Sequence, residues 1–201
     1  MPPTLRVAPL APEHRARIAE IVTATGMFSA EEVAVAVELF DEWQRDEARG
    51  ERHEVAASAL AGTSSLPPRA SYLFLGAFAP DGALIGFACH GPTPATDRTH
   101  DLYWIAVDPR AQGAGAGTRL LAAVERRLAD DAARLLVVET SGREQYAPTR
   151  AFYVARGYTQ AATVRDFYAP GDDRILFTKR LSPAARFHEA PESPAAGGAA
   201  R

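Results

Sequence analysis

The chain has 201 residues, 47% of them hydrophobic and 23% charged, a composition that fits one domain with appendages and rules out wholesale disorder. Its 22 basic and 25 acidic side chains leave a net charge of -3, so the overall balance draws it neither to nucleic acid nor to an anionic membrane. A lone cysteine, Cys89, excludes an intramolecular disulfide, and no apolar run reaches the roughly 18 residues of a membrane span; with no secretory pattern at Met1, the expectation is a cytoplasmic protein.

Residues 4–10 alternate apolar Leu5 and Val7 with polar Thr4 and Arg6 and read as a first strand, ended by Pro9 and Pro12. Pro12 suits the first turn of a helix through Ile18, Ile21 and Val22 that Gly26 closes. Ser29 and Glu32 have capping-box spacing and open a second helix, whose Phe40 and Trp43 read as core. Residues 51–70, alanine-rich and broken by Gly62, Pro67 and Pro68, read as a mobile loop. Residues 71–79 and 83–90, joined by Pro80-Asp81-Gly82, predict an antiparallel hairpin.

The run Leu102-Tyr103-Trp104-Ile105-Ala106-Val107 predicts a strand covered on both faces at the centre of a sheet, stopped by Asp108 and Pro109. A helix at 118–129, a buried strand at 134–140, a helix at 148–156 closed by Gly157, and strands at 158–167 and 174–181 complete the pattern. From residue 182 the chain turns to Ala, Pro and Gly, too little apolar surface to offset the entropy of ordering. The expectation is a single domain at 1–181 with a disordered tail at 182–201. Lys179 is the sole lysine among many arginines, in an alanine-rich chain, which reads as the codon bias of a GC-rich bacterial genome.

Gln112-Gly113-Ala114-Gly115-Ala116-Gly117 lies between the central strand and the next helix. A strand, glycine loop and helix in succession aim several backbone N–H groups and the positive end of the helix dipole at one spot, which suits an anion such as pyrophosphate. Glycine serves there because a side chain would hold the anion away from the amides. A tight turn in an alanine-rich chain is the plainer reading of the same six residues. No Gly-Lys-Ser/Thr follows, and the elements lack the repeated parallel crossovers of a dinucleotide fold, so neither ATP nor NAD is supported.

The hexapeptide satisfies the (Gln/Arg)-x-x-Gly-x-(Gly/Ala) signature of the GNAT superfamily of acyl-CoA N-acyltransferases, which this sequence resembles. Asp108-Pro109 before the loop, Leu120-Leu121 after it, and Thr149-Arg150-Ala151-Phe152-Tyr153-Val154-Ala155-Arg156-Gly157-Tyr158 are also similar to the family, and in part to its bacterial ribosomal-protein N-terminal acetyltransferases. The resemblance implies an α/β (α+β) fold, a mixed and mostly antiparallel twisted sheet of about six or seven strands flanked by helices, with splayed parallel strands at its centre. It implies transfer of an acetyl group from acetyl-CoA, the co-substrate, to a primary amine of a small molecule or a protein, by direct attack in a ternary complex. A non-catalytic acyl-CoA sensor module is the alternative. The family's habit suggests a homodimer.

Carried over by position, Ile105, Ala106 and Val107 would pair with the pantetheine arm, and Gln112, Gly113, Ala114, Gly115, Ala116, Gly117 and Thr118 would hold the pyrophosphate. Tyr153 takes the place of the acid that protonates the departing thiolate; Glu139 or Asp101 takes that of the base. Tyr146 stands where the N-terminal acetyltransferase branch usually has an asparagine near the cofactor. Asp166 and Tyr168 fall in a region bordering its acceptor site. Cys89 reads as a small core residue. The five histidines show no metal-ligand spacing, so no metal is expected.

Overall fold

The computed structural model describes residues 5–48 and 72–181. The loop expected at 51–70 and the tail expected at 182–201 lie outside the described residues. The first half of the chain supplies β1 (Arg6–Pro9), α1 (Arg15–Ala24), α2 (Ala30–Ala48), β2 (Leu73–Phe78) and β3 (Leu84–Pro92). The second supplies β4 (Thr99–Val107), α3 (Ala116–Asp130), β5 (Leu135–Ser141), α4 (Ala147–Val154), β6 (Thr159–Ala169) and β7 (Asp172–Arg180). The strands form one seven-stranded sheet in the order β1-β2-β3-β4-β5-β7-β6. Only β4 and β5 run parallel; every other pair is antiparallel.

Local chemistry accounts for the junctions. The capping box forms as the spacing predicts, with the Ser29 amide donating to Glu32 Oε2 at 2.8 Å and the Glu32 amide to Ser29 Oγ at 3.2 Å. The turn between β2 and β3 is held by the Gly82 amide on the Ala79 carbonyl at 2.9 Å and by the Ala83 amide on Asp81 Oδ1 at 3.0 Å.

Each face of the sheet carries its own core. On one face α1 buries Ile18, Ile21 and Val22, an i, i+3, i+4 set, and α2 adds Phe40 and Trp43 against Phe74 and Phe87. On the other, α3 buries Leu120, Leu121, Val124 and Leu128 against Leu102, Leu136, Val138 and Phe177. Each fully covered Leu, Ile or Phe contributes about 1.5–3 kcal/mol, so both layers are held principally by helix-to-sheet burial. Cys89 lies wholly within the first core, where burial pushes its thiol pKa up.

Most boundaries shift by a few residues from those read in the sequence, and two of the shifts bear on the site. β4 starts at Thr99, with the polar His100 and Asp101 inside the strand because β3 and β5 hydrogen-bond on either side of them. β6 extends to Ala169, two residues past the expected end at Phe167, so Tyr168 belongs to the strand and not to a connecting loop. Between Val164 and Ala169 the β6–β7 register slips, and Asp166 adopts φ +51°. Its carboxylate accepts the Gly171 amide at 2.7 Å, while its own amide donates to Asp173 Oδ1 at 3.0 Å. These bonds pin a bulge that reorients the residues after it.

Candidate active site

The sheet opens at its centre. Pairing between β4 and β5 runs from Thr99 opposite Leu135 to Leu102 opposite Val138 and then ceases, so β4 from Tyr103 and β5 from Glu139 diverge as a fork. On the β3 side β4 carries an extra residue at the same level, since Cys89 faces Trp104 while His90 faces Leu102. That bulge at Tyr103 bends β4 away from β5. The Asp108 amide donates to the Ile85 carbonyl at 2.8 Å. Strand alternation then turns the polar backbone of Ala106 toward β3, and that of Ile105 and Val107 toward the open fork. Of the three strand residues singled out in the sequence, two therefore offer free donors and acceptors to the gap, and Ala106 does not.

Next to Ile105 and Val107 is a cleft of about 420 Å³ between the glycine loop and α4. Gln112, Gly113, Gly115, Ala116, Gly117 and Thr118 line it. Gly113 and Gly115 both have φ +82°, and a Cβ on either would meet nothing within 4 Å. Glycine is thus required there by backbone conformation, and the space above it is open. Gly115 caps α3 without a side-chain bond, and the first amides of α3 have no intrahelical acceptor, so they point into the cleft with the helix dipole behind them. This cradle fits a pyrophosphate and the unpaired strand edge fits an amide-bearing chain, so the residues present suit acyl-CoA.

Asp108, 2% exposed, anchors the start of the loop. It accepts the Arg110 amide at 2.9 Å, Arg110 Nε at 3.1 Å and Arg110 Nη2 at 2.8 Å, and also pairs with Arg17 of α1. The Arg110 contacts, then Arg17, hold its carboxyl well below the usual carboxylate range. Arg17 Nε also donates to the Leu84 carbonyl at 3.0 Å. This network ties α1 to both β3 and the loop.

Tyr153 of α4 lines this cleft and a larger chamber beyond the fork. It is 3% exposed, packs its ring near those of Tyr158 and Phe177, and has its hydroxyl pKa pushed well up by burial. The chamber measures about 850 Å³. Leu102, Leu136 and Val138 face the α3 core, so by strand alternation Asp101 and Glu139 share the opposite face at the fork. Asp101 accepts Thr93 Oγ1 at 2.6 Å through Oδ2. Glu139 pairs with Arg174 through one oxygen and accepts the Tyr168 hydroxyl with the other. The β6 bulge delivers that tyrosine. Burial and the bond to Glu139 raise the Tyr168 pKa.

The chamber's outer walls come from the α1–α2 link and from the segment before α4. Tyr146 donates its hydroxyl to the Met27 carbonyl at 3.0 Å and joins these walls. Arg143 pairs with Asp172 at 3.0 Å. Of the residues proposed for the acceptor side, Tyr146 and Tyr168 line the chamber, while Asp166 folds back onto its own bulge and does not. Thr140, Arg174 and Phe28 line it too, unsuspected from the sequence, where they are ordinary strand or linker residues.

The sequence model of the Acetyltransferase (GNAT) family matches residues 36–158, more than half of the chain. The chain belongs to the GNAT acetyltransferase family. A GNAT-family protein from Desulfovibrio desulfuricans is 37% identical, with 89% of this chain and 100% of that one covered and a TM-score of 0.73. The ribosomal-protein-S18-alanine N-acetyltransferase from Escherichia coli shares the fold at 19% identity and a TM-score of 0.61, covering 92% of this chain and 98% of that one. So does a Salmonella typhimurium protein solved with its cofactor acetyl-CoA, at 16% identity and a TM-score of 0.61, covering 91% and 97%. No curated protein matches the sequence significantly. The protein is thus a GNAT acetyltransferase, and the sheet is the mixed, mostly antiparallel one the resemblance implied. Among the described residues, no helix is long and apolar enough to cross a membrane and no group of three or more His, Cys, Asp or Glu could hold a metal ion.

Proposed function

We propose that this GNAT acetyltransferase moves the acetyl group of acetyl-CoA to a primary amine by direct attack, both substrates meeting in the fork between β4 and β5. The observation that carries this reading is the fork itself. It joins a glycine-lined anion cradle on one face of the sheet to a carboxylate-bearing chamber on the other. A thioester threaded along the edge of β4 would present its carbonyl carbon between the two.

Ile105 and Val107 would pair their backbone with the amides of the pantetheine arm, and the amides of residues 113–118 with Gln112 would hold the pyrophosphate. On the chamber side Asp101 has only Oδ2 bonded among the described residues, whereas both oxygens of Glu139 are engaged. Asp101 is therefore the better candidate to receive the incoming ammonium and take its proton, directly or through water, and Glu139 is the second choice. As the C–N bond forms and the C–S bond breaks, the thiolate takes a proton from Tyr153. Burial keeps that proton on the tyrosine until a thiolate appears, and the same apolar surroundings raise the proton affinity of the thiolate.

Calorimetric titration with acetyl-CoA, repeated on Gly115→Glu, is the test. Binding in the parent and none in the variant supports the cradle, and release of CoA with an amine then supports transfer. Binding without turnover for any amine would turn the reading to an acyl-CoA sensor. No binding by the folded parent would sink both.

A further inference from the structure

Resting on the acetyl-transfer reading above, the charge pairing inside the chamber narrows the acceptor. Its described lining carries four carboxylates, from Glu32, Asp101, Glu139 and Asp172, and two guanidiniums, from Arg143 and Arg174. Each guanidinium pairs with one of these carboxylates, Arg143 through Nε with Asp172 and Arg174 through Nη2 with Glu139, while Arg174 Nε has no hydrogen-bond partner among the described residues. Glu32 and Asp101 have no cationic partner among the described residues; they accept only the Ser29 amide and Thr93 Oγ1. The described lining therefore holds two more carboxylates than guanidiniums, a negative excess that favours a cationic ligand.

Aromatic side chains stand beside these charges. Phe28 and Trp104 stand with ring centroids 4.9 Å apart, and Tyr103, 37% exposed, presents its ring beside Asp101. Burial, then the charge of Asp101, pushes the Tyr103 hydroxyl pKa up to about 12, so the ring stays neutral. Aromatic faces next to carboxylates favour a cation carried on an apolar body. The volume of about 850 Å³ is that of a small-molecule pocket, and the Tyr146–Met27 bond ties two of its walls together.

We infer that the acceptor is a small primary amine with an aromatic or alkyl body and no carboxylate, of the phenethylamine type. The ammonium lies toward Asp101 and the body on the aromatic wall. An α-amino acid is disfavoured because its carboxylate would add to the negative excess of the lining and compete with Glu139 or Asp172 for an arginine.

The test is steady-state kinetics of the full chain with acetyl-CoA and five acceptors: phenethylamine, hexylamine, phenylalanine, spermidine and an alanine-initiated peptide. It is paired with calorimetry of phenethylamine and phenylalanine on protein saturated with CoA. We expect kcat/KM for phenethylamine to exceed that for phenylalanine by at least about 30-fold, with a matching gap in Kd. Glu32→Gln keeps the helix cap, since glutamine serves the capping box, and should shrink the gap severalfold, read as the ratio of kcat/KM for phenethylamine to that for phenylalanine. Preference for phenylalanine, spermidine or the peptide overturns the inferred class while acetyl transfer stands. An unchanged gap in Glu32→Gln overturns the electrostatic basis. Failure of acetyl-CoA to bind, or of any amine to be acetylated, overturns acetyl transfer and the inferred class together.

Discussion

On one side of the fork a single stretch of chain, residues 105–118, supplies one wall of the cleft with backbone groups, a strand edge, two glycines at φ +82° and the first amides of α3, and α4 supplies the facing wall. On the other side the chamber takes side chains from the α1–α2 link, β4, β5, the turn before α4, β6 and β7. In the proposed function the first construction would recognise what acyl-CoA molecules share, amides and a pyrophosphate, and backbone groups suffice for that. The second must discriminate among amines, which requires particular side chains held by particular partners. A backbone site tolerates substitution wherever glycine conformation is kept, while a side-chain site can change specificity through one residue.

The largest effect should come from Gly115→Glu, which forces a side chain into left-handed backbone and sets a carboxylate on the anion cradle. Acetyl-CoA affinity should fall by about 100-fold or more, read by calorimetry, with the circular dichroism spectrum retained; binding of amines to the chamber should be nearly unaffected. Parent-like affinity would mean that the anion sits elsewhere.

Next is Tyr153→Phe, which lies where the two regions meet. Loss of a proton donor should lower kcat by about 100-fold, with KM for acetyl-CoA within about threefold of the parent. An unchanged kcat would remove Tyr153 from the chemistry and leave it as packing.

Asp108→Asn tests the anchor of the cofactor side. Replacing the paired carboxylate should cost about 2 kcal/mol in urea unfolding at pH 7, below the full value for a buried pair because Arg110 is largely exposed and resolvates. The folded-state pKa of Asp108 is depressed, so its contribution is complete above the unfolded value near 4 and is lost as pH falls toward the folded value. Parent and variant should therefore converge in stability as the pH is lowered below about 4. A constant gap down to pH 2 would contradict the assigned pairing.

The smallest effect belongs to the acceptor side. Tyr146→Phe removes one hydrogen bond to Met27 and should cost about 1 kcal/mol of stability. It should raise KM for the amine while leaving KM for acetyl-CoA unchanged, and a rise in both would show that the two regions are not separately built.

How far each region could be read before folding follows from the same contrast. The glycine loop was visible because a strand, a glycine run and a helix are consecutive in sequence, and the amide geometry follows from that order alone. Tyr153 lay in a recognisable segment for the same reason. Asp166 misled because its acidity suggests a ligand for a cationic amine, whereas its carboxylate is spent on the Gly171 amide of its own bulge. Arg174 and Thr140 carried no sequence signal, since an arginine and a threonine on strands are ordinary surface residues until a neighbouring strand is pulled away.

The sequence by itself determined the order of elements, the two amphipathic layers, the capping box and the glycine loop between β4 and α3, because hydrophobic period, turn chemistry and glycine conformation act over a few residues. Only the tertiary structure decided where β4 leaves β5, that Ile105 and Val107 rather than Ala106 face the gap, and that Arg143 and Arg174 pair with Asp172 and Glu139. Strand register and charge pairing join residues far apart in the chain, and their outcome is set by the burial competition of the whole domain rather than by any local pattern.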